Sequence, residues 1–474
     1  MTHPSSGADT AARTASPESG RHGRARFRGL RAASLLLAPV ILVAACSSSG
    51  SGSSSDGSAA AGQTSAAACA PTGGKVSLQF WTWVPGMDAV VAKWNAANPD
   101  IQVTVKNTPA GNAGTYQNMF NSLKAGTAPD LGQVEYDTLS SFRLQNGLKD
   151  ISGCPGVAQA KSTFVDWSWA QAQVGGPGVY AVPQDTGPMA LFYRKDIFDA
   201  NGIKVPATWD EYAAAAAKLK AKGIYITHFP QQDANWFNGL LWQSGAKLFE
   251  TTGDSVKVSL TDPKAQQVAT YWQKLIDDKL VATNLQGFSP DLYKAWNDGK
   301  VATWVSAAWG YSTIRDNAKA TSGKWAVAPM PQWTAGEKAA GNWGGSTTAV
   351  LASSKHPAEA AKFALWLNSD QAALALANDK GGLYPANKDG LELPALTQGV
   401  PFYGNQKIFD TFKEASANVD TNFTWGPIMT DTNRFLSDGF TKALNGQGTL
   451  NEALQSAQTQ TVSALKAQGI SVAQ

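Results

Sequence analysis

The sequence predicts a two-domain α/β protein, and three observations carry the prediction. Short runs in which apolar and polar residues alternate are separated by runs in which apolar residues recur every three or four positions, the pattern of strand, helix and strand in succession. The body beyond residue 75 holds roughly 400 residues, more than one ordinary hydrophobic core encloses. Nothing in that body approaches the ~20 consecutive apolar residues of a membrane-spanning helix, so a soluble body is expected.

In chain order, residues 1–45 read as an export signal. Arg21, Arg24, Arg26, Arg28 and Arg31 form a positive region, an apolar run follows through Leu35-Leu36-Leu37 to Ile41-Leu42-Val43, and Val43-Ala44-Ala45-Cys46 closes it. Positive charge orients such a segment, the short apolar run inserts, and small residues fit a peptidase cleft. The small-small-Cys ending resembles the lipobox of bacterial lipoproteins. That resemblance implies cleavage before Cys46, acylation of its thiol and a lipid anchor on the extracellular face of the cell membrane; an uncleaved signal anchor is the alternative. Ser47–Ala68 is almost wholly Ser, Gly and Ala, too poor in apolar bulk to order itself. Residues 46–74 are therefore expected to be a flexible tether.

Removing residues 1–45 takes away six Arg against Asp9 and Glu18, so the formal +3 of the whole chain falls to about −1. The remainder has no Lys/Arg cluster of the kind that binds nucleic acid. Besides Cys46 only Cys69 and Cys154 remain. An even pair in an oxidising compartment predicts a Cys69–Cys154 disulfide, with two buried free thiols as the alternative.

The folded body opens with a βαβ unit. Val76, Leu78 and Phe80 alternate as a strand; Met87, Val90, Val91 and Trp94 share a helical face that stops at Asn98-Pro99; Ile101, Val103 and Val105 resume the alternation. Thr208-Trp209-Asp210-Glu211 has the form of a capping box before an Ala-rich helix. Asp262-Pro263 supplies an N-cap and first-turn proline for a helix with the face Val268, Tyr271, Trp272 and Leu275. Ala360, Phe363, Ala364 and Leu367 mark another helix after His356-Pro357, and Phe435–Leu465 reads as helical.

Catalytic patterns are sparse. Beyond the signal only His228 and His356 remain, neither in a metal-ligand spacing, and H-E-x-x-H, C-x-x-C and G-x-S-x-G are absent. Gly344-Gly345-Ser346 lacks the Gly-Lys of a phosphate-binding loop. No metal or cofactor is expected. A carboxylate pair for glycoside hydrolysis stays open as an alternative.

The positive signal is aromatic. The chain has 17 Trp, several beside Gly, Pro or polar residues: Trp81-Thr82-Trp83, Asn235-Trp236, Trp309-Gly310, Trp343-Gly344-Gly345 and Trp425-Gly426-Pro427. A Trp face desolvates the flat C–H face of a sugar ring while Asp, Asn and Gln bond its hydroxyls. Trp94, Trp272 and Trp366 lie on helical faces and are expected in the core.

From Lys75 to about Gly446 the chain resembles the extracellular solute-binding proteins of bacterial carbohydrate ABC transporters, the maltose-binding-protein-like group. The resemblance rests on the order and spacing of several pieces: Leu78-Gln79-Phe80-Trp81, Trp94-Asn95-Ala96-Ala97-Asn98-Pro99-Asp100-Ile101, Ala128-Pro129-Asp130-Leu131, Tyr180-Ala181-Val182-Pro183, Leu191-Phe192-Tyr193-Arg194-Lys195-Asp196-Ile197-Phe198, Val205-Pro206-Ala207-Thr208-Trp209, Ala328-Pro329-Met330-Pro331 and Pro357-Ala358-Glu359-Ala360-Ala361-Lys362-Phe363. It implies a two-lobed type II binding-protein fold with a hinge and an interlobe ligand cleft. Lobe 1 is expected over 75–183 and 346–392, lobe 2 over 184–345 and 393–474, with crossings near Pro183–Pro188, Trp343–Ser346 and Leu391–Leu396.

Carried over position by position, the resemblance implies ligand contacts from Trp81 and Trp83 at the first strand end and from Asp137 near the end of the strand Leu131–Val134, with Glu135 as the other register. It implies further contacts from Asp185 at the first crossing, from Asn235 and Trp236, from Trp309 and Trp343, from the backbone at Gly345, and from Trp425. Asp185 has a hinge role as its alternative. The implied function is capture of a di- or oligosaccharide for an ABC permease by a monomeric, membrane-anchored, non-enzymatic protein. A secreted glycosidase and a binding protein for a non-sugar solute are the competing classes.

Overall fold

A computed structural model of the chain describes residues 69–252 and 255–473. The export signal, Cys46 and the Ser/Gly/Ala run up to Ala68 lie outside the described residues. In chain order the strands are β1 (Val76–Thr82), β2 (Ile101–Asn107), β3 (Leu131–Glu135), β4 (Ala181–Pro183), β5 (Met189–Arg194), β6 (Thr227–His228) and β7 (Phe249–Thr252). They continue with β8 (Ser255–Val258), β9 (Val281–Ala282), β10 (Thr303–Ala307), β11 (Trp325–Ala328), β12 (Ser346–Val350) and β13 (Ser471–Ala473).

The expected βαβ unit forms. In β1, Val76, Leu78 and Phe80 are buried while Ser77 and Gln79 are exposed, as a sheet with one core-facing side requires. The helix Met87–Ala97 buries Met87, Val90, Val91 and Trp94 and returns the chain to β2, which pairs parallel with β1 from Val76↔Ile101 to Thr82↔Asn107. Trp94 closes this core against Phe363 and Trp366, ring centroids 5.4 and 5.2 Å away. Each such fully buried large apolar side chain contributes about 1.5–3 kcal/mol.

Two larger sheets organise the molecule. The first has the order β2-β1-β3-β12-β4, with β12 antiparallel to both β3 and β4. The second is β10-β5-β11, antiparallel throughout. A three-stranded sheet of shorter strands, β13-β8-β7, and the pair β6-β9 complete the strands. This is the two-lobed α/β architecture of type II binding proteins, one lobe around each larger sheet.

Helix signals hold with one adjustment. Asp262 accepts the Lys264 backbone N–H at 2.8 Å, and Val268, Trp272 and Leu275 are buried while Tyr271 is half-buried. Thr208 accepts from Glu211 N, but the Glu211 carboxylate reaches Ala207 N instead of Thr208 N, so the box closes one residue farther out. The helices Met429–Leu444 and Leu450–Ala467 fill the C-terminal region, the second opened by a complete box between Thr449 and Glu452. Cys69 and Cys154 form the expected disulfide, tying the start of the body to the segment after β3.

Three passages of chain meet between the larger sheets. Gln184–Pro188 leaves β4, and Gln184 N and Asp185 N both donate to Ser346 O. Trp343 N donates to Gly187 O at 2.8 Å, and Pro188 bridges Asn342. On the other side, Thr186 N donates to Tyr384 O and Ala386 N to Gln184 O. The third passage thus joins the other two at Tyr384–Ala386, ahead of the Leu391–Leu396 stretch expected to cross.

Candidate functional site

The crossing strands require two glycines. A Cβ on Gly187 would lie 1.9 Å from Trp343 O, inside the backbone it pairs with. Gly345 has φ +91°, and a Cβ there would stand 3.0 Å from Tyr136 and 3.1 Å from Asp185 O. Close backbone approach is therefore built into the junction. Asp185 is part of it: Oδ1 accepts the Ser346 N–H at 2.8 Å, and burial raises its carboxyl to about 7.

Beside the junction, β3 ends at Glu135. Its Oε2 accepts from the Tyr116 hydroxyl at 2.9 Å, and the same hydroxyl accepts from Glu135 N at 3.0 Å. A Cβ on Gly344 would sit 3.7 Å from both Glu135 Oε1 and Trp309 Nε1, so the carboxylate and the indole flank that glycine. Burial raises the Glu135 carboxyl well above its ordinary value, and the charges of Asp137, Asp233 and Asp185 add to the rise. Asp233 caps the helix Ala234–Ser244 through the Trp236 N–H. Burial holds it at about 6 against the pull of that N–H and the Trp343 side chain. The charges of Asp137, Asp233 and Asp185 thus all bear on Glu135.

An aromatic wall faces this group. Trp309 and Trp343 pack edge to face with centroids 4.7 Å apart, and Phe288 lies 6.0 Å from each. Trp304 backs all three at 5.7–6.1 Å. Phe288 is 48% exposed and has φ +57°, an unusual conformation for a bulky residue, held where its ring extends the wall outward. Trp309 is half-buried, with its indole N–H on Trp343 O. Trp83 is half-buried as well and packs edge-on against Tyr116, 5.8 Å away.

A buried amide relay joins the helix Met429–Leu444 to Asp137 and the helix Ala234–Ser244. Asn433, on the helix Met429–Leu444, donates to Asp137 Oδ2 at 3.0 Å and to Asn235 Oδ1 at 2.8 Å, and accepts from Asn238 at 2.9 Å. Burial raises the Asp137 carboxyl, opposed by bonds from Thr138, Asn235 and Asn433.

Of the residues named from the sequence, Trp83, Trp309, Trp343 and Gly345 stand around this space. Trp425 is half-buried in a second aromatic group with Phe423 and Trp242, at 4.9 and 5.6 Å, whose loop is tied to helix Tyr136–Leu144 by Ser140 and Ser141. The others are enclosed by the fold. Trp236 is 1% exposed, donates its indole N–H to Val305 O, and packs 4.9 Å from Trp272; it is a core residue. Trp81 is buried, with Lys106 Nζ 3.9 Å from its ring centroid, which takes the face a ligand would need. Asp137 and Asn235 are buried within the amide relay, and Asp185 is bonded to Ser346 N. Glu135, the other register considered, holds the place at the strand end.

Sequence reasoning missed Tyr116, Asp233, Phe288 and Asn433. Only Asp233 carried a local signal, as an N-cap three residues before Trp236. His228 is buried, and desolvation lowers it to about 3. Among the described residues no group of three or more His, Cys, Asp or Glu is arranged to hold a metal ion.

Residues 81–374 match the family profile described as bacterial extracellular solute-binding protein. The galacto-N-biose-/lacto-N-biose I-binding protein of Bifidobacterium longum, solved with lacto-N-biose, is 32% identical over 85% of this chain and 100% of its own, with TM-score 0.76. The ABC transporter associated binding protein of B. animalis subsp. lactis Bl-04, solved with β-1,6-galactobiose, is 31% identical over 84% of this chain and 100% of its own, with TM-score 0.75. The arabinooligosaccharide-binding protein of Halalkalibacterium halodurans is 25% identical over 81% of this chain and 88% of its own.

Proposed function

The chain belongs to the bacterial extracellular solute-binding proteins, and from that premise we propose that it captures a neutral di- or oligosaccharide between its lobes and delivers it to an ABC permease. One observation carries the ligand class: the Phe288–Trp309–Trp343 wall lies across Gly344 from the Glu135–Tyr116 pair. The wall offers faces for sugar C–H surfaces, and the carboxyls, Glu135 held in place by the Tyr116 phenol, offer acceptors for hydroxyls. The charges bearing most on Glu135 are carboxylates, which opposes an anionic solute. Relatives solved with disaccharides at over 30% identity support the same class.

The ligand set we propose is Trp83, Tyr116, Glu135, Asp233, Phe288, Trp309, Trp343 and the backbone at Gly344 and Gly345, with Trp425 bordering it. Asp137, Asn235 and Asn433 position it from behind. Lobe 1 is read as 75–183 with 346–392, and lobe 2 as 184–345 with 393–474. The protein acts by stoichiometric binding, as a monomer anchored through acylated Cys46 at the extracellular membrane face. Differential affinity of the ligand for open and closed forms drives closure about the three passages.

The test is intrinsic Trp fluorescence of residues 69–474 titrated with galactobiose, lacto-N-biose, arabino-oligosaccharides and malto-oligosaccharides. A saturable change with one class, lost in Trp309→Ala, supports the reading. Silence with every sugar, repeated in calorimetry, overturns it.

A further inference from the structure

Trp83 follows the last residue of β1, and a side chain from the neighbouring strand fixes it there. Backbone pairing of β1 with β3 runs through Phe80↔Leu131 and Trp81↔Gly132. Past that ladder the Gln133 side chain takes over. Its Oε1 accepts the Thr82 hydroxyl at 2.7 Å and the Trp83 backbone N–H at 3.0 Å. Thr82 Oγ1 in turn accepts from Val84 N at 3.2 Å, so three consecutive residues at the strand end are held through one amide.

A backbone N–H can only donate, so the atom facing Trp83 N is the amide oxygen and the nitrogen points the other way. That Nε2 donates to Ser346 Oγ at 2.9 Å. Ser346 is itself bound at the crossing: its N–H goes to Asp185 Oδ1 at 2.8 Å, and its carbonyl accepts from Gln184 N and Asp185 N. Gln133 is 2% exposed, and Thr82 and Ser346 are buried with it. Buried bonds of this kind hold geometry because water does not replace a lost partner. The Trp83 ring, by contrast, is half-buried and stands edge-on to Tyr116. Its backbone is fixed from inside the fold while its ring is left partly uncovered.

We propose that Gln133 is a positioning residue for sugar binding: it sets where Trp83 stands by holding the end of β1 against the Ser346 crossing, without touching the ligand. This role rests on the cleft reading above, with Trp83 in the ligand set.

A double-mutant cycle tests it, read by calorimetric titration of the protein with galactobiose, lacto-N-biose, arabino-oligosaccharides and malto-oligosaccharides, using the class that binds the unaltered chain. Gln133→Met keeps the length of the side chain and leaves the Trp83 N–H and Thr82 hydroxyl without their acceptor; it is expected to weaken binding about five- to ten-fold. Trp83→Ala is expected to cost at least as much. Adding Gln133→Met to Trp83→Ala should change affinity by less than about two-fold, because the residue being positioned is gone. A general structural role would give the same loss in both backgrounds. Equal losses in both backgrounds, unchanged affinity in Gln133→Met, or unchanged affinity in Trp83→Ala overturns the proposal. If Gln133→Met lacks a cooperative melt, Ser346→Ala takes its place in the cycle under the same criteria; it removes the anchor of Nε2, with an expected loss of about two- to five-fold. Silence of the unaltered chain with every sugar is a separate result, which overturns the cleft reading and this role with it.

Discussion

Tyr116 and Glu135 are joined twice: the phenol donates to the carboxylate at 2.9 Å and accepts the backbone N–H of the same residue at 3.0 Å. One hydroxyl from the helix Thr115–Ala125 thereby fixes both the end of β3 and the carboxylate that leaves it. Tyr116→Phe should weaken sugar binding about five- to ten-fold and also lower stability by about 1–3 kcal/mol, since it leaves the Glu135 N–H and carboxylate without their shared partner. Glu135→Gln should cost at least as much. Calorimetry on both variants checks this; unchanged affinity in both removes the pair from the proposed site.

Trp309 and Trp236 should separate binding from stability. Trp309→Ala removes the half-buried member of an edge-to-face pair whose other member, Trp343, is buried, and should reduce affinity by about 2 kcal/mol or roughly thirty-fold, with a modest change in melting. Trp236→Ala empties a packed core position and should cost about 3–5 kcal/mol of stability. Denaturant melts beside ligand titrations decide, and the reverse pattern would exchange the two assignments.

Stability should fall as pH rises through the buried carboxyls. Asp185 is raised to about 7 and Asp233 to about 6, against about 3.9 in the unfolded chain. Between roughly pH 4 and 7 the folded state therefore holds protons that the unfolded state has released, so the unfolding free energy declines with pH across that window. Carboxyls lowered by their partners, Asp196, Glu359 and Asp420, act in the opposite sense, below about pH 4. The ligand-free body should melt a few degrees higher at pH 5 than at pH 8. Asp185→Asn keeps an acceptor for Ser346 N and should flatten the upper part of the profile; an identical profile in this variant would contradict the assignment.

The Cys69–Cys154 disulfide closes a loop spanning 85 positions. Cys69→Ser with Cys154→Ser should cost about 2–4 kcal/mol by releasing entropy in the unfolded chain. Sugar affinity should remain within about two-fold. Paired melts and titrations of the double variant measure both, and a large loss of affinity would place the bridge in the ligand's path.

Local pattern carried far along this chain. The period-two run ending at Phe80 and the helical face Met87, Val90, Val91 and Trp94 were legible because each is enforced by burial of its own residues. So was the disulfide, since two cysteines allow one pairing. Aromatic residues beside glycine were legible as a set, and Trp309 and Trp343 do meet. Sorting that set was beyond local pattern: Asn235-Trp236 looked like a turn, yet it opens a helix whose ten residues Ala234–Gln243 are all buried.

By itself the sequence determined the α/β class, the export and tether expectations, the carboxylate-and-Trp chemistry and the family resemblance. These depend on residue type, spacing and order, which are properties of the chain. Tertiary structure alone decided which tryptophan faces are free, that Glu135 and not Asp137 stands at the strand end, and that Phe288, Tyr116 and Asn433 belong beside residues distant in sequence. Those outcomes are set by packing between elements far apart in the chain: Trp236 is taken by Trp272 and Val305, Trp81 by Lys106, and Asp137 by Asn433. A side chain's availability to a ligand is what its neighbours leave uncovered, and those neighbours are chosen only when the chain folds.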